Sequence, residues 1–439
     1  MNPKSGISQT TMQGRTGCHV FYCYYLASYR TDAYLQNLCR DAAQVTVLDF
    51  SPLRSLFRGK AIDGAYHTSE QIRKYGSLGA KLNYHTLPTI SHFPGGWGQR
   101  MNLALSAVLA LLFSPLMSIK LLFSKFDHVV FYNGHLLFLC LLLSSWIKKI
   151  PYTTDLGDVL YLIDNPNPLT RRVELAFLKH SRSIVCVSKP FKEHLINQYR
   201  IPPDRISILS AAIPENFILQ FSEESNRSRQ AQLRAQIGAD DQATVLVYSG
   251  GIWKKRLPGI GIKDVQGVES LCEAFEQMNE TGHDTWLVLL GYSKEAKELD
   301  RFRNGRWRQR LVELGTYAPG GPEHLAALGG ADYLCLPSFP CDTYRLYDRF
   351  KTIEYLAAGK RILAADTAIN HYLLGDAGCY YKEGSSESMA QSLIQNRAPK
   401  AIFIESSHLK VQRDYNWDQR NREHLVSKVV LEHQTIESY

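Results

Sequence analysis

Residues Tyr347–Asp366 read YDRFKTIEYLAAGKRILAAD. Arg349, Lys351 and Glu354 open an amphipathic run, Gly359-Lys360 closes it, and the apolar run Arg361–Ala365 follows. That order predicts helix, turn and buried strand. Cations at the head of the helix suit phosphate, and an acid one turn further suits the hydroxyls of a ribose. The segment points to a nucleotide-diphosphate ligand and, with the rest of the chain, to a nucleotide-sugar.

The same alternation runs outward from this stretch. The patterning predicts strands at Thr244–Tyr248, Thr285–Leu290 and Asp332–Leu336, with helices at Val268–Asn279 and His324–Leu328. Gln309–Leu314 fits a helix or a strand, and Glu387–Gln395 and Asp418–His433 read as closing helices. Upstream, strands are expected at His19–Ala27, Gln44–Phe50, Phe126–Tyr132, Ile150–Thr154 and Ser183–Val187, and helices at Ala33–Asp41 and Arg172–His180. Between the two series, SEESNRSRQAQLRAQIGADD (222–241) is polar and reads as a connection carrying a short helix. Such alternation builds mostly parallel sheets with helices on both faces. At 439 residues the chain exceeds one ordinary core. The expected division is 16–215, a connection 216–243, and 244–412, with a C-terminal helix in 413–439 packing back toward the first domain.

Hydrophobic content of 45% and charged content of 21% exclude a disordered chain. A formal charge of +8 fits phosphorylated substrates, anionic lipid or nucleic acid. Arg301, Arg303, Arg306, Arg308 and Arg310 cluster around Trp307 and read as a solvated face, so no nucleic-acid partner is expected. The nine cysteines form no CxxC pair and no metal-like spacing with histidine. No metal is expected, and the odd, scattered count fits a reducing cytoplasm. Asn102–Phe123 is apolar for about the length of a bilayer span, yet Ser106, Ser114, Pro115, Ser118 and Lys120 interrupt it. It reads as a buried or interfacial helix, with Lys120, Lys125, Lys148 and Lys149 placed for peripheral membrane contact.

In open α/β sheets, ligands bind at the carboxyl ends of strands, beside helix N-termini. After Thr244–Tyr248 comes SGGIWKKR (249–256), where Gly250 and Gly251 allow close backbone approach and Lys254, Lys255 and Arg256 supply charge. Gly291 ends the next strand, and the Pro337-Ser338 turn precedes Arg349, Lys351 and Glu354. In the first half, His135 follows strand 126–132, and Asp155 and Asp158 follow the next. These sit where an acceptor sugar or lipid head can be held, although Asp158 can equally cap a helix.

The chain resembles the GT-B glycosyltransferases, in particular the retaining enzymes of glycosyltransferase family 4, from about residue 17 to 433. RRVELAFLKHSRSIVCVSKPFKEHL (171–195), YRIPPDRISILSAAIPENF (199–217), VYSGGIWKKR (247–256), LLG (289–291), ADYLCLPS (331–338) and IEYLAAGKRILAAD (353–366) follow in family order. The resemblance implies two Rossmann-like domains facing each other across a cleft. It implies that Glu354 is the second glutamate of the E-x7-E motif, holding ribose, and that the Gly250/Gly251 loop embraces the diphosphate. Gly315 to Tyr317 corresponds to the nucleobase rest, and His135 to the first-domain histidine near donor sugar and acceptor. The first glutamate of the motif falls at Leu346, Gly251 stands where arginine is common, Gln266-Gly267 where Lys-Gly is common, and Ala211-Ala212 replaces Asn-Gly. Paired cations ahead of the ribose acid, Arg349 and Lys351, match a variant found in some relatives.

The expected activity is sugar transfer from a UDP- or GDP-linked donor to a glycan or lipid-linked acceptor in surface polysaccharide or glycoconjugate synthesis, with retention and with no further cofactor. The expected place is the cytoplasm or the inner face of the membrane. An inverting GT-B transferase using Asp158 or His135 as base, and a degenerate subunit that binds without turnover, are the alternatives.

Overall fold

Buried apolar runs make the strands, and a parallel sheet covered on both faces explains why HVVFY, SIVC and YLCL are buried at every position. The computed structural model describes residues 16–25, 29–52, 75, 77–89, 108, 112, 115–134, 138–157, 168–252, 254–257, 261–291, 297–315, 317–318, 320–341, 345–396 and 403–416. In the first sheet the strands are β1 (Thr16–Tyr25), β2 (Ala42–Pro52), β3 (Lys81–Thr89), β4 (His128–Tyr132), β5 (Tyr152–Leu156), β6 (Ser183–Cys186) and β7 (Ile206–Ile208). Later come β8 (Thr244–Ser249), β9 (Lys254–Leu257), β10 (Gly261–Asp264), β11 (Thr285–Leu290), β12 (Leu311–Gly315), β13 (Tyr333–Leu336), β14 (Arg361–Ala365) and β15 (Gly378–Tyr381).

The first sheet has the order β3-β2-β1-β4-β5-β6-β7 and the second β12-β11-β8-β13-β14-β15. Every pairing in the second sheet is parallel. In each sheet the first strand lies in the middle, so the winding reverses beside β1 and again beside β8. Such a reversal leaves a crevice at the carboxyl ends of the central strands. Phe21, Phe131, Leu141 and Phe177 belong to the core of the first sheet. Leu246, Tyr248, Phe275, Leu287 and Leu363 belong to that of the second.

The chain divides into a unit containing residues up to Cys186 with Ile201–Ser207, and a unit containing Val187–Arg200 and the chain from Ile208. The crossing therefore comes earlier than the expected boundary at 215, and it is repeated. Ser188 shows why. Its hydroxyl caps the helix Lys189–Tyr199 by accepting the N–H of Phe191 at 3.1 Å, and it donates to the carbonyl of Leu346.

The stretch expected as a connection is instead a full helix, Glu223–Ile237, opened by a Ser222 capping box and closed by Gly238. It packs on the helix Pro322–Gly330, where a Cβ on Gly330 would fall 2.7 Å from Leu233 Cβ. Arg234 pairs with Asp332 at 2.7 Å, with both side chains buried. Its buried face is narrow, which is why the polar composition reads as linker.

Gln309–Leu314 resolves into β12, while β3, β15 and the antiparallel ribbon β9–β10 carry no strand signal in the reading above. The arginine cluster folds as short turns. Arg301 pairs with Glu273, Arg303 with Glu313 and Asp300, and Arg310 with Asp284. Asp418–His433 lies outside the described residues. Residues 115–123 are helical; Ser118 and Leu121 are buried while Leu116 and Phe123 are exposed, so only one side of that helix meets the core. Among the described residues no helix is long and apolar enough to cross a membrane.

Candidate functional site

β8 runs into Gly250-Gly251 at the reversal point of the second sheet. Gly250 has φ 141° and Gly291 φ 85°, a region where a side chain is strained. Gly250 N–H donates to the Leu290 carbonyl at 2.8 Å, and Gly291 N–H to the Gly315 carbonyl at 2.6 Å. The ends of β8, β11 and β12 thus form one floor. A Cβ on Gly250 would lie 2.5 Å from Lys351 Nζ, so the absent side chain lets an ammonium rest against the turn.

Lys351 reaches there from the first turn of the helix Phe350–Ala357. Its Nζ donates to the Tyr248 hydroxyl at 3.3 Å and to Gln266 Oε1 at 3.4 Å, and lies 4.4 Å from the Tyr248 ring centre. The Tyr248 hydroxyl in turn donates to the Gly251 carbonyl at 2.9 Å. Burial draws the ammonium down to about 7; Arg349 pushes the same way, while Glu354 and Asp264 oppose. Glu354 lies three residues on. Burial raises its carboxyl to about 7, with Lys351 holding it back. Among the described residues the Glu354 carboxyl has no hydrogen-bonding partner.

Arg349 is buried at the head of the same helix, and its Nη1 donates to the Pro337 carbonyl at 2.9 Å. It braces the turn that follows β13. Ser338 is also buried, and its N–H donates to the Tyr381 hydroxyl at 2.9 Å. Against Ser338 lies Gly267, φ 74°, where a Cβ would stand 2.8 Å from the Ser338 nitrogen. Gly267 is the N-cap of the helix Val268–Glu280, and Asp264 Oδ2 accepts the Val268 N–H at 2.7 Å. Two helices therefore begin beside the Lys351 ammonium.

Ser249 is held from both sides. Its N–H donates to the Tyr355 hydroxyl at 2.8 Å, and its Oγ lies 3.4 Å from His324 Nε2. His324 Nδ1 accepts the Gly320 N–H at 3.0 Å, which leaves the ring proton on Nε2. Burial holds this imidazole neutral, with its pKa lowered to about 4.

No protein-family model matches the chain. An alpha-D-kanosaminyltransferase of Streptomyces kanamyceticus is 23% identical over 205 residues, 45% of this chain. The chain spans about half, 49%, of that relative's length. Among solved structures, Anabaena Alr3699/HepE in complex with UDP superposes with a TM-score of 0.62 at 15% identity, covering 96% of this chain and 100% of that one. Sucrose-phosphate synthase of Thermosynechococcus elongatus gives 0.63 at 14% identity, covering 96% and 100%. The chain has the GT-B fold. At these identities the likeness carries the fold.

Within the GT-B fold, the second Rossmann-like sheet gathers Gly250, Gly251, Gly291, Ser338, Lys351 and Glu354 around its reversal point, with Arg349 beneath. Tyr317 follows β12 and is half-buried. The cations expected in the loop after Gly251 lie on the ribbon instead. Lys254 pairs with Glu298 there, and Lys255 is a β9 residue. Leu346 is half-buried, and its carbonyl accepts from the Ser188 hydroxyl. His135 and Asp158 lie outside the described residues. Asp155 is buried on β5. Tyr248, His324 and Asp264 are not singled out by the sequence, and Gln266 only as a departure from the family's Lys-Gly pair. Only the aromatic at a strand end next to Gly-Gly offered a signal for Tyr248; the others depend on contacts between distant residues.

Proposed function

We propose that the chain is a glycosyltransferase whose nucleotide-diphosphate sugar donor binds at the reversal point of the second sheet. One observation carries this reading: a buried ammonium, Lys351, lies beside an uncommitted carboxyl, Glu354, and against the Gly250 turn. An enclosed ammonium with only long contacts to neutral oxygens gains much from the oxygens of a diphosphate. Partial positive charge at the starts of two helices adds to it. Glu354 then accepts the ribose hydroxyls.

UDP is the favoured nucleotide, since Anabaena HepE has been solved with UDP and with UDP-glucose. In transfer, the bond between sugar C1 and the β-phosphate oxygen breaks, its electron pair passing to that oxygen, which Lys351 neutralises. The acceptor oxygen bonds to C1 on the same face, and its proton passes to the departing diphosphate. Retention is the outcome that the resemblance to the family 4 motif order implies. On the family resemblance, His135 is assigned to positioning the reacting groups and Asp158 to the acceptor. The acceptor is a glycan or lipid-linked glycan handled in the cytoplasm, consistent with nine free cysteines.

Calorimetric titration with UDP and GDP tests the site. Lys351→Met and Glu354→Gln are each expected to weaken binding at least about tenfold. Unchanged affinity in both variants would move the nucleotide elsewhere. NMR of the product anomer tests retention, which an inverted product would overturn. Leu346, standing where an acid holds the donor sugar in relatives, favours the second reading, a subunit that binds nucleotide without turnover. Donor consumption with any acceptor rules that reading out.

A further inference from the structure

The first unit carries an apolar face with no partner among the described residues. Val108, Leu112, Leu116, Ile119 and Phe123 are exposed by 48%, 60%, 59%, 52% and 87%. Leu116, Ile119 and Phe123, three and four residues apart, share one side of the helix 115–123, and Val108 and Leu112 are themselves helical and keep a spacing of four. On the opposite side of residues 115–123, Met117 and Leu121 pack into the first core, and Ser118 is buried. The helix is therefore apolar on both sides, and the core occupies only one of them.

The neighbouring helix Leu139–Lys148 repeats the arrangement. Leu141, Leu142, Ser144 and Ser145 face inward, while Leu143 and Ile147, four apart, are exposed by 44% and 72%. Lys148 Nζ donates to the carbonyl of Ser124 at 2.6 Å, so the two helices end side by side. Residues 115–126 and 138–150 hold Lys120, Lys125, Lys148 and Lys149 and no acidic residue.

We propose that this two-helix face docks the protein on an anionic lipid bilayer. Large apolar side chains enter the acyl boundary while the exposed Lys125, Lys148 and Lys149 meet the headgroup phosphates, the pattern of an interfacial rather than a spanning segment. Lys120 is instead held against His85. Charge selects this occupant over a second copy of the chain. A symmetric dimer through the same face would bring the lysines of one copy against those of the other, with Asp127 as the nearest acid in sequence to Lys125. Neither helix contributes a residue to the donor site, so the proposal stands apart from the nucleotide reading. It adds to that reading a reason for the acceptor to be lipid-linked.

Vesicle flotation with the full chain tests it, comparing phosphatidylcholine alone with phosphatidylcholine containing about 30% phosphatidylglycerol. Binding is expected to the anionic vesicles and to weaken steeply with salt. Ile119→Ser with Phe123→Ser is expected to lower the partition coefficient by at least about tenfold per residue, as loss of a large apolar contact implies. These positions are exposed, so circular dichroism and nucleotide binding should stay unchanged, separating lost docking from lost fold. Equal partition of wild type and variant, or equal binding to neutral vesicles, would overturn the proposal. So would a dimer seen by light scattering that the same variant dissociates.

Discussion

Lys351 is a lysine whose charge depends on its ligand. With its pKa drawn down to about 7, the free site loses its cation as the pH rises, and a diphosphate must then restore the proton. Arg349, Glu354 and Asp264 face the same ammonium, and the first of these supports the loss. Nucleotide affinity is therefore expected to fall between about pH 7 and 9, by at most about tenfold per pH unit. Lys351→Arg, which stays protonated, should flatten that slope; titration calorimetry across the range reads both, and a wild-type profile as flat as the variant's would refute the coupling. Glu174 is a second displaced group, with both oxygens buried and without a hydrogen-bond partner among the described residues, and burial raises its pKa to about 8. Gly134 lets its helix approach, since a Cβ there would stand 3.2 Å from Glu174 Cα. Above about pH 4.3 the unfolded chain releases a proton that the folded state keeps, so stability falls as pH rises toward 8. Glu174→Gln should remove that loss, a gain on the order of a few kcal/mol at about pH 8 and little at about pH 4. Denaturant melts at the two values measure it, and an equal effect at both would contradict the assignment. Glu354 and Lys351 were legible because residue type and spacing carried their chemistry. Glu174 was not, because its burial is imposed by a distant glycine and the aromatic core.

At the scale of elements, the predicted order of helix, turn and strand holds in the stretch first quoted: Phe350–Ala357 is the helix and Arg361–Ala365 the strand. Apolar runs of five or six residues flanked by turns were readable throughout. The ribbon β9–β10 was not, because KKRL is mostly charged and GIKD is exposed at three of its four positions, so neither carries an apolar alternation. The helix Glu223–Ile237 was misread for a related reason. Its attachment rests on a few residues, above all Arg234, rather than on an apolar stripe. Asp332 accepts from Arg234 Nη2 at 2.7 Å, from Gln230 Nε2 at 2.7 Å and from the Val245 N–H at 2.7 Å. Asp332→Ala would leave a buried guanidinium and a strand N–H without this acceptor, at a cost of about 3–5 kcal/mol. Urea unfolding gives the value, and a loss under about 1 kcal/mol would show that water reaches the pair. Gly267→Ala acts on another junction. It adds the cost of a left-handed residue, about 1–2 kcal/mol, to a clash with the Ser338 backbone.

At the scale of the whole molecule, two sheets wound alike raise the question of which one takes the nucleotide. Both reverse beside their first strand, so topology alone offers two crevices. Chemistry separates them. Beside β8 lie a glycine turn, a buried ammonium and a free carboxyl. At the corresponding ends in the first unit, Tyr132 packs over Gly157, where a Cβ would come within 2.4 Å of the ring, and Asp155 is buried. Ligand binding to the folded state alone adds about 2.7 kcal/mol at a hundred times Kd. The added protection should concentrate where the ligand sits. Hydrogen exchange with saturating UDP is therefore expected to slow at Ser249–Gly251, at Gly291 and in the first turn of Phe350–Ala357. The ends of β4 and β5 should exchange as before. Slowing at Tyr132–Gly134 instead would assign the nucleotide to the first sheet and leave Lys351 and Glu354 as a structural pair.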